Sequence, residues 1–489
     1  LLVTALGLTQ FAPSNPPLIV AEPTFSNAPY IVPKAEIDDE PATHNEVAPT
    51  DTTPTQPGAS VSGEETPSAT ELPVANGDTQ LITLFVGSHE APLTSNQLAV
   101  DTFTEAISAV QTNANISVVE LIGNHEISSL ALQLLDRQPH PITFRSSGDS
   151  RCLIDVQLTT AQLETNSPRF FRFSHGNISF ENIGFRFYLS QEFRQQWSIF
   201  QLDDVASLRL ENVDISVIPA AADNRYIQIA VFDYITTSVI DSVSDGGPSV
   251  TNREPASLDL INCVIRGPLN FLRATPTQPI KATWRNGLFA SSDWFLQLPS
   301  IMATPPGVAR PLNAVDTPIS LTVELQQLVV SATPGILRVY NDTVGGSRGL
   351  PPVLDFAMVN SIFVTSPGNP IVVLDQISSS AEQRYRPTIR GSGNCYQNTM
   401  LMLIEHDRDD IMQTSQLTFD ELTVESNPSR DNDWFQQQNT WPTGSISWQA
   451  TPVPPITTPD YLQTPIHYQL LDDQAGLPGF NYQLLPVVE

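Results

Sequence analysis

The sequence Phe180-Glu-Asn182-Ile-Gly-Phe185 places an asparagine between two apolar side chains at fixed spacing. The same pattern returns four more times, at Leu210–Ile215, Leu260–Ile265, Trp284–Phe289 and Met358–Phe363. Successive asparagines lie 30, 50, 24 and 74 positions apart (182 to 212, 212 to 262, 262 to 286 and 286 to 360). These intervals indicate a repeat of roughly 22 to 30 residues with occasional long insertions, which is typical of a solenoid.

Asparagine suits the corner between two short strands of such a repeat. One residue at a sharp corner adopts a left-handed backbone conformation, which Asn tolerates better than other residues that carry a side chain. Its amide can then bond the equivalent positions one repeat above and below, so that largely buried side chains form a ladder. Asn is also a common turn residue, but five matches in register favour a parallel β-helix. The predicted ladder consists of Asn182, Asn212, Asn262, Asn286 and Asn360.

One further position fits the same row. Gln327, in Leu325-Gln-Gln327-Leu-Val-Val330, is interpreted as a substituted member of the ladder. After Asn360 the pattern weakens, and Gly391-Ser-Gly-Asn-Cys-Tyr-Gln-Asn398 is interpreted as a last ladder turn. Leu401–Ile404 is predicted to be a strand.

Composition divides the chain into three parts. Residues 1–78 are rich in Pro, Thr, Ser, Glu and Ala, and such a segment cannot bury enough apolar surface to fold alone. We therefore predict an extended Pro-rich arm or linker at 1–78, the β-helix at 79–445 and a Pro-rich C-terminal tail at 446–489 that packs on the solenoid. Apolar residues clustered within 1–32 add the hypothesis that this stretch lies in extended form against a neighbouring subunit or another part of the β-helix, where it adds a strand to an exposed edge.

A helix is predicted to cap the beginning of the solenoid. Gln80–Val86 has the pattern of a strand, and Thr102-Phe-Thr-Glu105 is a capping box at the start of a helix. Val118–Ile127 and Pro141–Arg145 follow with strand-like patterns. This order would close one end of the stack, where unpaired backbone groups would otherwise be exposed.

These opening elements resemble a known family. Leu84–Gly87, the helix from Thr102, Val118–Ile127, Pro141–Phe144 and Asn177–Phe185 follow the order seen in pectin-lyase-like right-handed β-helix proteins. More narrowly, the chain from Thr79 onward, including Ala475–Pro486, resembles extracytoplasmic β-helix regions of planctomycete surface proteins, some of which are linked to a kinase. The resemblance implies an all-β, right-handed parallel β-helix, and it implies an activity only weakly. The Gly-rich phosphate loop, the Val-Ala-Ile-Lys strand and the His-Arg-Asp loop of kinases are absent from the sequence.

Charge and cysteine content exclude several classes. The formal net charge of −29 argues against nucleic acid and anionic membrane surfaces as partners, because like charges repel. Cys152, Cys263 and Cys395 lack metal-site spacing and cannot all pair within the chain, so we predict buried apolar thiols. The apolar opening Leu1–Leu8 is compatible with the end of a signal or membrane segment and equally with a short strand.

Residues with a pattern suited to chemistry are few. The densest acidic run, Glu405-His-Asp407-Arg-Asp409-Asp410, makes Asp407, Asp409 and Asp410 the candidate metal ligands. We expect no cofactor, with calcium bound at this run as the alternative. A solvated turn is the simpler interpretation, because the run lacks the spacing and the Gly of an EF-hand loop. The seven histidines form no metal-ligand or hydrolase pattern.

Tryptophan offers a better case for binding. Trp434 and Trp441 lie in a polar, Gln-rich region and are predicted to be an exposed pair that contacts carbohydrate, since an exposed Trp can stack on a sugar ring. Trp197, Trp284 and Trp294 are instead interpreted as core residues or as residues that cover a loop, because large aromatic side chains are mostly buried.

These features predict a non-catalytic extracytoplasmic protein, secreted or at the cell surface, with a structural, adhesive or ligand-recognition role. Its expected partners are a second copy, another surface protein or a polysaccharide, with a possible membrane attachment upstream of Leu1 as a further hypothesis. Two alternatives stay open. The first is a carbohydrate-active enzyme, either a lyase or a glycoside hydrolase, which requires carboxylates or Arg converging in a groove. The second is the sensor region of a kinase-linked receptor, which requires a kinase encoded upstream.

Overall fold

The computed structural model of the chain describes most of the segment from Leu81 to Thr440 and a short C-terminal stretch. The described residues are 81–89, 92–127, 141–148, 150–158, 169–173, 176–190, 196–202, 207–219, 228–235, 256–275, 279–299, 320–340, 352–375, 385, 387–397, 401–406, 414–418, 434–440, 479, 481 and 484–486. The arm predicted at 1–78 lies outside them, as does most of the tail predicted at 446–489.

The described part of the chain is all-β apart from one helix, α1 (Phe103–Thr112). The first half contains β1 (Ile82–Val86), β2 (Gln97–Val100), β3 (Ile116–Leu121), β4 (His125–Ile127), β5 (Ile142–Ser146), β6 (Cys152–Leu158), β7 (Arg169–Phe173), β8 (Asn177–Glu181), β9 (Ile183–Leu189), β10 (Gln196–Leu202), β11 (Ser207–Glu211), β12 (Asp214–Pro219) and β13 (Gln228–Ile235). The second half contains β14 (Ala256–Gly267), β15 (Asn270–Thr275), β16 (Ile280–Ser291), β17 (Leu296–Pro299), β18 (Ser320–Ala332), β19 (Leu337–Tyr340), β20 (Val353–Val359), β21 (Ile362–Val364), β22 (Val372–Asp375), β23 (Thr388–Ser392), β24 (Cys395–Gln397), β25 (Leu401–His406), β26 (Thr414–Thr418) and β27 (Phe435–Gln438).

The strands form two long sheets. One has 18 strands, and the other has nine, in the order β26-β25-β22-β19-β17-β15-β13-β10-β7. Every described pairing is parallel except that of β25 with β26. Parallel strands need a crossover connection, and long parallel sheets built this way are consistent with a parallel β-helix, as predicted.

Three consecutive strand segments make one repeat of the stack, which we call a rung. β8, β9 and β10 form one rung, and β11, β12 and β13 pair with them in register in the next rung. In β14, β16 and β18 the first two segments are a single strand that runs through the corner. Register is kept over unequal intervals, from 24 residues (Leu258 to Ala282) to 50 residues (Leu208 to Leu258).

The interior of the stack is apolar and rich in aromatic rings. Alternate side chains of each strand point inward, so that Ile178 and Phe180 of β8 are buried between partly exposed neighbours. Rings in adjacent rungs stack: Phe171 on Phe200 with centroids 5.3 Å apart, and Phe200 on Phe232 at 5.5 Å. Each such pair adds about 0.5 to 1.5 kcal/mol beyond the burial of its area. The core is therefore a continuous column that ties each rung to the next.

Helix α1, at the start of the stack, begins with the capping box that the sequence predicts. The Thr102 side chain accepts a bond from the Glu105 backbone amide, and the Glu105 side chain accepts one from the Thr102 amide, which completes the capping box. Phe103, Ala106, Ile107 and Val110 are its buried residues. Phe103 contacts Phe144 and Phe171 of the column, so the helix covers apolar surface of the stack.

Candidate functional surfaces of the stack

The corner residues form one row along the stack. Seven non-glycine residues among the described ones have φ between 48° and 56°: Asn182, Asn212, Asn262, Asn286, Gln327, Asn360 and Asn439. The five predicted ladder asparagines are all in this left-handed conformation. Gln327 takes the place of an asparagine in its rung, and Asn439 extends the row to a rung that the sequence pattern missed.

Side-chain bonds join only part of this row. Asn262 Nδ2 donates to Asn212 Oδ1 at 3.2 Å, and Asn286 Nδ2 donates to Asn262 Oδ1 at 2.9 Å. Asn182 Nδ2 donates to the Ser150 carbonyl oxygen at 3.5 Å instead. Asn286 is 6% exposed and thus buried, whereas the other four asparagines are partly buried, less fully than we expected for Asn182 and Asn212.

A C-terminal segment lies on the middle of the row. The Asn481 amide donates to Asn286 Oδ1 at 2.6 Å, and Asn286 Nδ2 donates back to the Asn481 carbonyl oxygen at 3.2 Å. Two rungs away, the Gly479 amide donates to the Asn360 carbonyl oxygen at 2.8 Å. Gln327, which lies between these two corners, is exposed. Asn481 and Gly479 therefore bond corners that lie two rungs apart.

Beside this row, an apolar strip on the outer face continues the same contact. It is a second hydrophobic cluster, separate from the core column, and we call it the outer stripe. Leu485 packs in it with 7% exposure, while its neighbour Leu484 is 54% exposed. The members of the outer stripe are Val264, Leu288, Ala290, Val329, Ile362 and Cys395.

The nine-stranded sheet carries a row of polar side chains on its outer face. Gln201, Asp233, Arg273, Gln297 and Arg338 are consecutive partners in the parallel register. The first three are at most 6% exposed, and Asp233 forms an ion pair with Arg273. Farther along, Arg338 Nε donates to Asp375 Oδ2 at 2.7 Å. Buried charges of this kind are stable only when they are paired, so the row is a set of cross-rung pairs.

Asp293 lies in the turn between β16 and β17, next to this row. Its Oδ2 accepts from Asn270 Nδ2 at 3.2 Å, and its Oδ1 accepts from the Trp294 amide at 2.8 Å. Burial raises the pKa of the Asp293 carboxyl above its usual value, and these bonds together with the Arg338 charge partly offset that shift. A carboxyl with a raised pKa is a candidate acid or base, but one oxygen of Asp293 is bonded within the turn and the other is bonded to Asn270 of β15.

A second charged cluster lies just after the corners, on strands β6, β9, β12 and β14. Asp214 is 2% exposed, and its Oδ1 lies 3.6 Å from Arg151 Nη1. Arg186 pairs with Asp155 at 2.7 Å, and Arg266 Nε donates to a Ser216 hydroxyl at 2.9 Å. Burial raises the pKa of the Asp214 carboxyl despite the charges of Arg151, Arg266 and Arg186.

The structure describes only some of the residues that were predicted to bind ligands. Trp434 is only 6% exposed and packs against Phe435, so the expectation of an exposed ring is wrong for it. The cause is register: Phe435 pairs with Ile389, which places this peptide in the last rung. Trp197 and Trp284 are core residues, as interpreted. Trp441 and the candidate metal ligands Asp407, Asp409 and Asp410 lie outside the described residues.

Sequence reasoning missed the charged cluster and the polar row. Aligning the repeats on their asparagines would have found part of the cluster, because Asp214 lies two positions after its corner and Arg186 and Arg266 lie four positions after theirs. Nothing comparable marks Asp233 and Arg273. They lie on β13 and β15, and neither strand contains a residue of the corner row. The number of residues between successive strands of that sheet also varies.

No helix among the described residues is both long and apolar enough to span a membrane. In the same part of the chain, no group of three or more His, Cys, Asp or Glu side chains is placed to hold a metal ion. Comparisons of the chain with protein-family models, with curated proteins and with solved structures find no match.

Proposed function

We propose that this chain is a non-catalytic, extracytoplasmic surface protein in which a right-handed, pectin-lyase-like β-helix serves a structural, adhesive or ligand-recognition role. One observation carries the proposal. Several carboxylates of the outer faces pair with arginines of adjacent rungs, as in Asp233 with Arg273, Asp155 with Arg186 and Asp375 with Arg338. Such pairs hold rungs together, whereas an enzyme needs carboxylates that face a substrate.

The bonds made by the buried carboxyl groups add to this support. Glycoside hydrolysis generally uses two carboxyl groups facing one bond, roughly 5 to 10 Å apart, with one of them free to accept or donate a proton. Burial raises the pKa of two described carboxyls, Asp293 and Asp214. Both oxygens of Asp293 accept bonds, from its own turn and from Asn270, and Asp214 Oδ1 lies 3.6 Å from Arg151 Nη1. A scaffold that presents surfaces fits this arrangement better than a catalyst.

The test is a turnover assay on the full chain with acidic and neutral polysaccharides, in which new reducing ends and unsaturated products are measured. We expect no turnover above buffer. Turnover that is abolished by Asp293→Asn or Asp375→Asn, but kept in the partly exposed Asp259→Asn control, would establish the carbohydrate-active enzyme instead. Cosedimentation of the unmodified chain with insoluble polysaccharide would separate an adhesive role from a purely structural one.

The N-terminal arm is the second part of the proposal. Residues 1–78 are proposed to contribute to self-association, on the ground that their apolar residues cluster near the start. Among the described strands, β2 pairs with β1 alone and lies at that edge of the large sheet, and Leu98 of β2 is 41% exposed. Light scattering of the full chain and of a chain that lacks Leu1 to Asp78 tests this role. Equal oligomeric states would count against it.

A further inference from the structure

We propose that the C-terminal residues Gly479, Asn481 and Leu485 belong to a docking segment for the corner row and the outer stripe, and that copies of this chain are joined by exchanging this segment. Exchange of an identical element between protomers is a low-cost route to association. The proposal is independent of whether the β-helix has catalytic activity, and it concerns a different surface from the polar row. Four observations carry it.

The first observation is how the segment is held. Asn286 bonds the peptide group of residue 481 at both its amide and its carbonyl, and the Asn360 carbonyl bonds the Gly479 amide. All three bonds go to main-chain atoms of the segment. The corner row thus offers a preformed site for a peptide backbone, in which an amide side chain presents one donor and one acceptor.

The second observation is that side chains make the contact selective. Leu485 is buried in the outer stripe while Leu484 faces solvent. Gly479 has φ +116°, and a Cβ built there would lie 3.0 Å from Ile362 Cδ1. Only glycine adopts that backbone conformation readily, so the segment needs glycine at one end and a large apolar side chain at the other.

The third observation is the interruption at Gln327. A ladder asparagine in this rung would be next in line to bond Asn286, as Asn286 bonds Asn262. Gln327 is exposed instead, and Asn286 Oδ1 accepts from the Asn481 amide. The substitution in the ladder coincides with the place where the segment docks.

The fourth observation concerns reach and charge. Residues 441–478 separate the last rung from the segment, and 38 residues can extend to about 125 Å at roughly 3.3 Å each. This length is sufficient to reach the corner row of a second copy. Residues 475–486 contain no charged side chain, whereas the chain as a whole has a net charge of −29. An uncharged segment can therefore approach a strongly acidic second copy with little repulsion.

The experiment uses full chains and sedimentation velocity. Unmodified protein should associate with rising concentration, and Leu485→Asp should weaken the association constant about 10- to 100-fold, as expected for losing the burial of a leucine. Leu484→Asp is the matched control, because its side chain is already exposed, and it should associate like the unmodified chain. Gly479→Ala is a second variant of the segment and should weaken association in the same direction.

Complementation then separates exchange from a contact made only within one chain. A chain with a defective segment, Leu485→Asp, is mixed with a differently tagged chain with a defective row, Asn286→Ala. Each copy retains the half that the other lacks, so mixed pairs should form at concentrations too low for either variant to associate alone. Monomeric unmodified protein at every concentration, equal association of Leu485→Asp and Leu484→Asp, or no mixed pairs would each overturn the proposal. Circular dichroism of every variant verifies that the stack is folded.

Discussion

Replacing Asp233 by Asn should destabilise the protein strongly, because it breaks the ion pair with Arg273 and leaves a buried guanidinium without its counter-charge. The side chains of Asp233 and Arg273 are 2% and 8% exposed. Removing one partner of a pair this deeply buried costs about 3 to 5 kcal/mol. Equilibrium urea unfolding measures the change, followed by the fluorescence of Trp197 and Trp284, which lie fully buried in the core.

The control is the cross-rung pair of Lys281 with Glu324, which joins adjacent strands with nitrogen and oxygen 3.1 Å apart. Its side chains are 48% and 45% exposed, so Glu324→Gln should cost less than about 1 kcal/mol. Replacing Asp233 and Arg273 together by Leu and Met should restore much of the stability, since an apolar pair carries no buried charge. Equal losses for Asp233→Asn and Glu324→Gln would show that burial of the Asp233–Arg273 pair does not set the cost of breaking it.

Three further predictions concern the corner, the thiols and the charged cluster. Asn212→Ala should lower the free energy of unfolding by about 1 to 3 kcal/mol, and Asn212→Gly by less, because glycine keeps the left-handed backbone; thermal melts of both variants check the order. Cys152 and Cys263 should resist a thiol reagent near neutral pH until the chain unfolds, because burial raises the pKa of each to about 12; rapid labelling of the native protein would contradict this. Burial raises the pKa of Asp214, so its folded form holds a proton more tightly than its unfolded form, and its contribution to stability falls as pH rises above about 4. Asp214→Asn should make the melting temperature fall less steeply as pH rises. Identical slopes of melting temperature against pH for the variant and the unmodified protein would exclude this contribution of Asp214.

Sequence predicts those parts of this fold that have a local cause. A left-handed corner selects Asn, and a helix start selects the Thr102 and Glu105 pair, so the corner row and α1 could be read from single positions. The Trp434 prediction is wrong because the polar composition around it does not reveal that Phe435 pairs with Ile389. The buried pair of Asp233 and Arg273 depends on register between strands 40 residues apart, which no local pattern specifies.

Constant strand register despite unequal spacing lets such a chain evolve by insertion and deletion between its strands. Equivalent positions are 24 residues apart in one pair of rungs and 50 in another, yet both pairs keep the same strand alignment. Insertions and deletions between strands therefore leave the hydrogen-bonded frame intact, and duplication of a whole rung adds a unit that meets its neighbours through contacts already in use. The protein can vary in length and gain new surface without a new fold.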